Sequence, residues 1–240
     1  MTKNDLLHPV YWGIDSCRKG WFAVSVDPFR FAILRDSHDL QQLFDHAASV
    51  WIDIPIGLAE KQHRQCDILL RNALGKKAAS VFQTPVRSAV YANDYRHACE
   101  INEKITGKRI SRQAWNIVPK IRQVDHLLTG RTGLIPKVHE CHPEWQYVRF
   151  LGDYISTSKK SQEGYEQRLK ILENLLPGMS QFMSSIIANL PGQYVAPDDI
   201  LDATVLAIAA CKASENSVIQ GFPEQPEIDE AGIPMQVCYV

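Results

Sequence analysis

Residues 10–27 read VYWGIDSCRKGWFAVSVD. Two apolar runs flank a short polar centre, and Asp15 closes the first run. The tight links DSCRKG (residues 15–20) and DPF (residues 27–29) join three strand-like runs, Val10 to Ile14, Trp21 to Val26 and Phe29 to Leu34. Such links imply an antiparallel meander. A strand that reads as buried nevertheless ends on a carboxylate, which needs a reason.

The elements that follow extend the pattern. In SHDLQQLFDHAAS, Leu40, Leu43, Phe44 and Ala47 recur at helical spacing, with Ser37 as the expected N-cap. SVWIDIPIGL then reads as a buried strand closed by Pro55 and Gly57. The order so far is β-β-β-α-β. Residues 60 to 131 read as helical throughout, with stops at Gly75, Gly107 and Gly130. Pro119 is expected to kink or split the third of these helices. LIPKVHECHPEW is a further strand candidate. SQEGYEQRLKILENLLPG and MSQFMSSIIANLPG read as helices, and APDDILDATVLAIAACKA as a buried one, apolar nearly all round. GIPMQVCYV closes as a short strand. No linker or repeat divides the chain, so residues 1–240 are expected to form one α/β domain in which 60–131 is a helical elaboration.

Composition narrows the function. A chain of 240 residues buries enough surface to need no staples. Its net charge of −1 gives no global pull toward nucleic acid or membrane, so any basic site must be local. The six cysteines are scattered without Cys-x-x-Cys spacing and read as reduced thiols of a cytoplasmic protein. MTKNDLLHPV lacks the features of a signal peptide. The longest apolar stretch, around Val205 to Cys211, falls short of the roughly 18 residues of a membrane span.

Acids stand where apolar residues are expected: Asp15, Asp53 in VWIDIPIGL, Glu140 in PKVHECHPE with Glu144 beyond it, and Asp198, Asp199 and Asp202 opening the last long helix. Each alone has a plain structural reading as a turn or helix cap. Asp202 is harder to dismiss, because it shares a helix face with Asp198 and Asp199 and has no basic residue within a turn. If the first and fourth strands lie side by side and the last helix packs on them, Asp15, Asp53 and the Asp198–Asp202 group converge. Clustered carboxylates need a cation, and hard oxygen donors without thiolate suit Mg²⁺ or Mn²⁺.

These features, taken together, resemble the RNase H-like fold. More narrowly they resemble a domain-of-unknown-function family described as predicted RNase H-like nucleases. GIDSCRKGW, DIPIGL, RQCDILLRNALGKKAASVFQTPVR, KIRQVD, HECHPEWQY, KKSQEGYEQRL and DDILDA carry the resemblance, in order, over nearly the whole chain. It implies a five-stranded mixed sheet (β-β-β-α-β-α-β-α) with a helical insertion between strands 4 and 5. By position, Asp15, Asp53, Glu140 and Asp202 become the catalytic acids, and Asp15, Asp53 and either Asp199 or Asp202 the metal ligands. The turn SCRKG departs from the Gly-Cys-Arg-Gly-Gly-like residues of that family, and Lys76 and Lys77 stand where Arg and Ser are common.

Basic groups accompany the acids. Arg18 and Lys19 follow Asp15 directly; Arg64, Arg71, Lys76, Lys77 and Arg87 surround SVFQTPVR; Lys120 and Lys137 come later. Arg18, Lys19, Arg87 and Lys120 are the candidate phosphate contacts, against the alternative of a solvated helix face. His139, Cys141 and His142 suggest zinc but lack a fourth ligand of matching spacing. No nucleophile elbow, Walker loop or dinucleotide fingerprint is present. The expectation is a metal-dependent phosphodiester hydrolase acting on nucleic acid or nucleotide. The alternatives are a non-catalytic module binding the same ligands, and an actin–hexokinase-like phosphotransferase.

Overall fold

The computed structural model describes residues 9–190, 194–215 and 218–240. The chain runs β1 (Tyr11–Cys17), β2 (Gly20–Val26), β3 (Phe29–Leu34), α1 (Ser37–His46), β4 (Ser49–Ile52), α2 (Gln65–Leu74), α3 (Arg87–Val90), α4 (Tyr95–Thr106) and α5 (Arg112–Leu128). It continues with β5 (Val138–Glu140), α6 (Pro143–Leu151), α7 (Gln162–Leu175), α8 (Met179–Asn189), α9 (Pro197–Ser214), β6 (Gln220–Ile228) and β7 (Pro234–Tyr239). Two compact units share these elements. The first comprises Met1–Asp53, Lys137–Ile219 and Tyr239–Val240, and the second Ile54–Pro136 and Gln220–Cys238.

In the first unit the strand order is β3-β2-β1-β4-β5. The meander is antiparallel, with Asp15 opposite Phe22 and Ala23 opposite Ala32. β4 joins β1 in parallel, Ile14 beside Ile52, and β5 joins β4 in parallel, Ile52 beside Glu140. The expected adjacency of the first and fourth strands is therefore present.

α9 covers β1 because its sequence allows it. Ile200 through Ala210 are all buried, and Ala203, Ala207, Ala209 and Ala210 keep the helix narrow. Gly13 supplies the matching gap: a Cβ there would stand 2.1 Å from the Ala203 carbonyl oxygen. Only a residue without a side chain permits that approach. Around this contact Ile14, Phe22, Phe44, Trp51, Ile52 and Tyr147 are buried at 1% exposure or less.

The second unit packs Val86, Ala89, Ala98, Cys99, Ile110 and Ala114 into a core of its own, flanked by Phe82, Tyr95 and Trp115. Its polar ties are buried too. Asp67 accepts from the Thr84 N–H at 2.7 Å, and Asn102 from the Val86 N–H at 3.0 Å. β6 and β7 are hydrogen-bonded neighbours.

Several local expectations are corrected. The described residues form seven strands rather than the five of the sheet that the resemblance implies: β7 is the short strand read in GIPMQVCYV, and β6 was not foreseen. Asp36, not Ser37, caps α1, accepting from His38 N–H and Asp39 N–H at 2.9 Å each. α5 runs unbroken through Pro119. The strand read in LIPKVHECHPEW shrinks to three residues, and Pro143 opens a helix, where its missing N–H costs nothing. Residues 60–131 are helical only in part, with a 3-10 turn at Gly75–Ser80 and irregular chain around it.

Candidate metal centre

Strand register builds the site. Gly13 lies beside Trp51 and Ile14 beside Ile52, and the Asp53 N–H bonds the Ile14 carbonyl at 3.0 Å. The same offset brings Asp15 beside Asp53 at the carboxyl ends of two parallel strands. In open α/β sheets ligands bind in the crevice outside the carboxyl ends of the strands. Here β1 has an antiparallel neighbour on one side and a parallel one on the other. The Gly13–Ala203 approach then sets Asp202, one residue before Ala203, over the same place. Asp15 is 7% and Asp202 3% exposed, while Asp53 is half-buried.

The carboxylates act on one another electrostatically. Burial pushes the Asp15 carboxyl well above its ordinary range, and the charges of Asp53 and Asp202 push it further. Asp53 is raised to about 6, chiefly by burial, with Lys159 opposing. Asp202 is likewise raised to about 6 by burial, in spite of its ion pair with Lys159. Burial alone would lower the Lys159 ammonium, but Asp202, Asp15 and Asp53 together hold it above its ordinary value.

Lys159 is the residue sequence reasoning missed. It stands between α6 and α7, pairs directly with Asp202, and lies 4.0 Å from Asp198 Oδ2. The chain that presents it is tightly fixed. Ser161 Oγ donates to the Ser158 carbonyl at 2.8 Å and accepts from the Gly164 N–H at 3.1 Å, capping α7. A Cβ on Gly164 would meet the Ser158 carbonyl at 1.9 Å. Arg168, fully buried, grips both oxygens of Glu144 at 3.0 and 2.8 Å and donates to the Thr157 and Gly164 carbonyls. Tyr147, under that guanidinium, donates to the Leu201 carbonyl at 3.1 Å. KKSQEGYEQRL therefore supplies a lysine, the serine and glycine that shape its turn, and the arginine that anchors it.

The other candidates fall in different places. Asp199 accepts from the Ala196 N–H at 3.0 Å and so caps α9, while its charge still reaches Asp15. Glu140 is buried on β5, across from Ile52. Arg18 and Lys19 are exposed in the β1–β2 turn just past Asp15, and the Lys19 ammonium lies 5.6 Å from the Tyr194 ring centre. Lys137 donates to the Asp45 and Ala47 carbonyls at the end of α1.

Arg87 and Lys120 belong to the second unit. Arg87 is engaged there by three carboxylates, Glu60 at 2.9 Å, Asp125 at 2.8 Å and Asp229 at 2.6 Å. Arg64 is wholly buried against Cys66, Thr84 and Asp67. Both arginines are structural ties rather than an open phosphate clamp.

Among the described residues no group of three or more His, Cys, Asp or Glu side chains is placed to hold a metal ion. Burial lowers the His139 imidazole. Among the described residues the six cysteines form no disulfide. No described helix is long and apolar enough to cross a membrane.

A mixed α/β protein with a buried acid cluster at the carboxyl ends of its strands is the class that fold and site define. Within that class, residues 13–228 match the family described as protein of unknown function (DUF429), and the chain belongs to it. No curated protein and no solved structure matches the chain.

Proposed function

We propose that the chain is a divalent-metal-dependent phosphodiester hydrolase acting on nucleic acid or a nucleotide, built on an RNase H-like core. One observation carries this reading. Three carboxylates from three elements, Asp15, Asp53 and Asp202, crowd one buried place with Lys159 as the cation acting on all three. Three negative charges against one positive leave a formal deficit of two, which suits a divalent ion. The donors are all hard oxygens, as Mg²⁺ and Mn²⁺ prefer. The donors match such an ion in charge and chemistry, but as they stand they are not placed to hold one, and the ion pair of Lys159 with Asp202 is a feature that loading would have to alter.

Asp15, Asp53 and Asp202 would hold the ion, with Asp199 orienting the start of α9 behind them. A metal in such a site supplies Lewis acidity, activating water and stabilising the leaving oxygen. The protein's own part is to fix the carboxylates by strand register and to keep their surroundings dry. Arg18 and Lys19, exposed beside Asp15, are placed to meet a substrate phosphate. Glu140 is the candidate for proton transfer.

The test is hydrolysis of DNA, RNA and nucleotide substrates with Mg²⁺, Mn²⁺ or EDTA, beside Asp53→Asn. Turnover that needs the cation and is lost in the variant is expected; turnover unchanged by EDTA defeats the reading. One observation favours a second reading, a non-catalytic nucleotide or nucleic-acid binder. Lys159 already pairs with Asp202, so the cluster has a partial counter-charge without metal. Metal-independent binding with no turnover would establish that alternative.

A further inference from the structure

β3 is the last strand on its side of the sheet, so among the described residues one row of its backbone N–H and C=O groups meets no neighbouring strand. Soluble proteins blunt such an edge with lysine, proline or a bulge. The β3 sequence FRFAIL has neither lysine nor proline, and its pairing with β2 runs without a bulge from Val26–Phe29 to Trp21–Leu34. Phe29 is 45% exposed although it stacks on Phe182 of α8, 4.8 Å between ring centres. An open groove of about 1160 Å³ follows the edge, lined by residues 29–34, by Leu43 and His46 of α1 and by Phe182. It leaves room for the side chains of an added strand. The charges of the edge select that strand. Asp27, in the β2–β3 turn, and Arg35, just past β3, are both exposed and stand at opposite ends. An antiparallel copy of the same edge brings opposite ends together, and so brings each charge to its complement.

We propose that this edge docks the β3 edge of a second copy of the chain, antiparallel about a two-fold axis through Phe31, so that the ladder continues across the axis. Symmetry restricts the register. In an antiparallel ladder a residue whose backbone groups point outward faces another that does the same. The axis therefore passes through a residue and not between two. Ala32 on the axis would set Phe29 against Arg35 of the second copy and leave Asp27 without an opposite charge. With Phe31 on the axis, Asp27 faces Arg35 of the second copy, and the pair is repeated by symmetry. Phe31 then faces its own counterpart and Phe29 faces Ile33 of the second copy, on the side where both phenylalanines meet Phe182. On the other side Arg30 faces Ala32 of the second copy, beside the groove that Asp39 lines. Apolar and opposite-charge pairs of this kind are the units that stabilise a sheet. The interface neither needs nor excludes a metal at the acid cluster.

Sedimentation over a concentration series tests this on wild type, Asp27→Lys and Arg35→Glu. Wild type should pass reversibly from monomer to dimer. Either variant turns two attractions across the axis into two repulsions and should weaken self-association by roughly tenfold or more. Mixed in equal amounts, the two variants can form a heterodimer in which both pairs are again of opposite sign, so the mixture should recover association close to that of wild type. No other register predicts that recovery. Hydrogen exchange of wild type is measured at low and high protein concentration, and amides within residues 29–34 should slow several-fold at the higher one. This arm uses the native chain, so it decides the matter even if a variant folds poorly. A wild type that stays monomeric leaves the edge to some other partner and overturns the proposal. So does a dimer that both variants leave unchanged, a mixture of folded variants that fails to associate, or exchange at residues 29–34 that is independent of concentration.

Discussion

Gly13 on β1 and Ala203 on α9 meet backbone to backbone: a methyl group on Gly13 would lie 2.1 Å from the Ala203 carbonyl oxygen and 2.2 Å from the Ala207 nitrogen. Asp15 is two residues beyond one partner, and Asp202 one residue before the other. The contact therefore sets the distance at which the two carboxylates face each other. Gly13→Ala must push the helix off the strand. Overpacking of this kind costs about 1–3 kcal/mol, and more where the obstacle is backbone. The expected result is a chemically denatured midpoint well below wild type and loss of any divalent-dependent stabilisation. A variant as stable as wild type would show that α9 is free to shift.

The acid cluster gives the metal-free protein a particular pH profile. Asp53 and Asp202 are raised to about 6 when folded, against an ordinary 3.8, and Asp15 is raised in the same direction. Raised carboxyl values mean that the folded state holds protons the unfolded state has released. The contribution of these groups is then fully present below about pH 4 and is lost as pH rises through about 6. In EDTA, Asp202→Asn should flatten the fall in melting temperature between those limits. Identical pH profiles for the two proteins would mean that the cluster is not strained.

The support beneath Lys159 should matter more than its exposure suggests. Arg168 is 1% and Glu144 12% exposed at the side chain, and Arg168 holds both carboxylate oxygens. Arg168→Met strands Glu144 without its partner, which typically costs about 3–5 kcal/mol for a buried pair. It also releases the Thr157 and Gly164 carbonyls, so hydrogen exchange across residues 157–164 should quicken. The double variant Arg168→Met with Glu144→Gln should recover part of the loss. No recovery would show that the carbonyl bonds, not the ion pair, carry the stability.

In the second unit, Asp229 is a four-way tie. Its Oδ1 accepts from Ala231 N–H and Ile233 N–H at 2.9 Å each, closing the β6–β7 turn, and its Oδ2 accepts from Leu58 N–H and from Arg87. Asp229→Asn keeps one acceptor and replaces the other by a donor facing donors. The cost of leaving such buried donors unpaired is about 1–3 kcal/mol. Amide exchange should rise at Leu58 while the turn amides of Ala231 and Ile233 stay protected. Faster exchange at the turn alone would reverse the assignment of the two oxygens.

Legibility in the sequence followed the range of the physics involved. Asp15 and Asp53 could be read because a carboxylate inside an apolar run is conspicuous locally, and the parallel β1–β4 pairing followed from the element order. The pairing of Asp202 with Lys159 joins residues 43 apart in the chain, and nothing in STSKKSQ distinguishes one lysine from a solvated loop. Arg87 looked like a phosphate ligand because its three carboxylates come from elements spread over residues 60 to 229. β6 escaped because only Gly221 of its nine residues is buried, so no apolar alternation marks it. LIPKVHECHPEW was read as a strand candidate running through Pro143, whereas a proline at the first helical position begins a helix.

The most decisive substitution is Asp53→Asn. It removes one of three crowded charges at nearly constant volume. Asp53 is held near 6 by burial, so its charged form is costly at neutral pH. The metal-free variant should therefore melt no lower than wild type, and by up to a few degrees higher. Divalent cation acts in the opposite sense. Binding only to the folded state, it should raise the wild-type melting temperature in a concentration-dependent way, and the variant should lose that gain together with any turnover. If Asp53 were simply a turn cap before Pro55, the outcomes would reverse. The variant would then lose roughly 0.5–2 kcal/mol, as capping residues do, and neither protein would respond to Mg²⁺ or Mn²⁺. Thermal melts of both proteins in EDTA and in millimolar Mg²⁺ or Mn²⁺ separate the two cases. A variant that melts lower in every condition, beside a wild type indifferent to cation, would remove Asp53 from the metal centre.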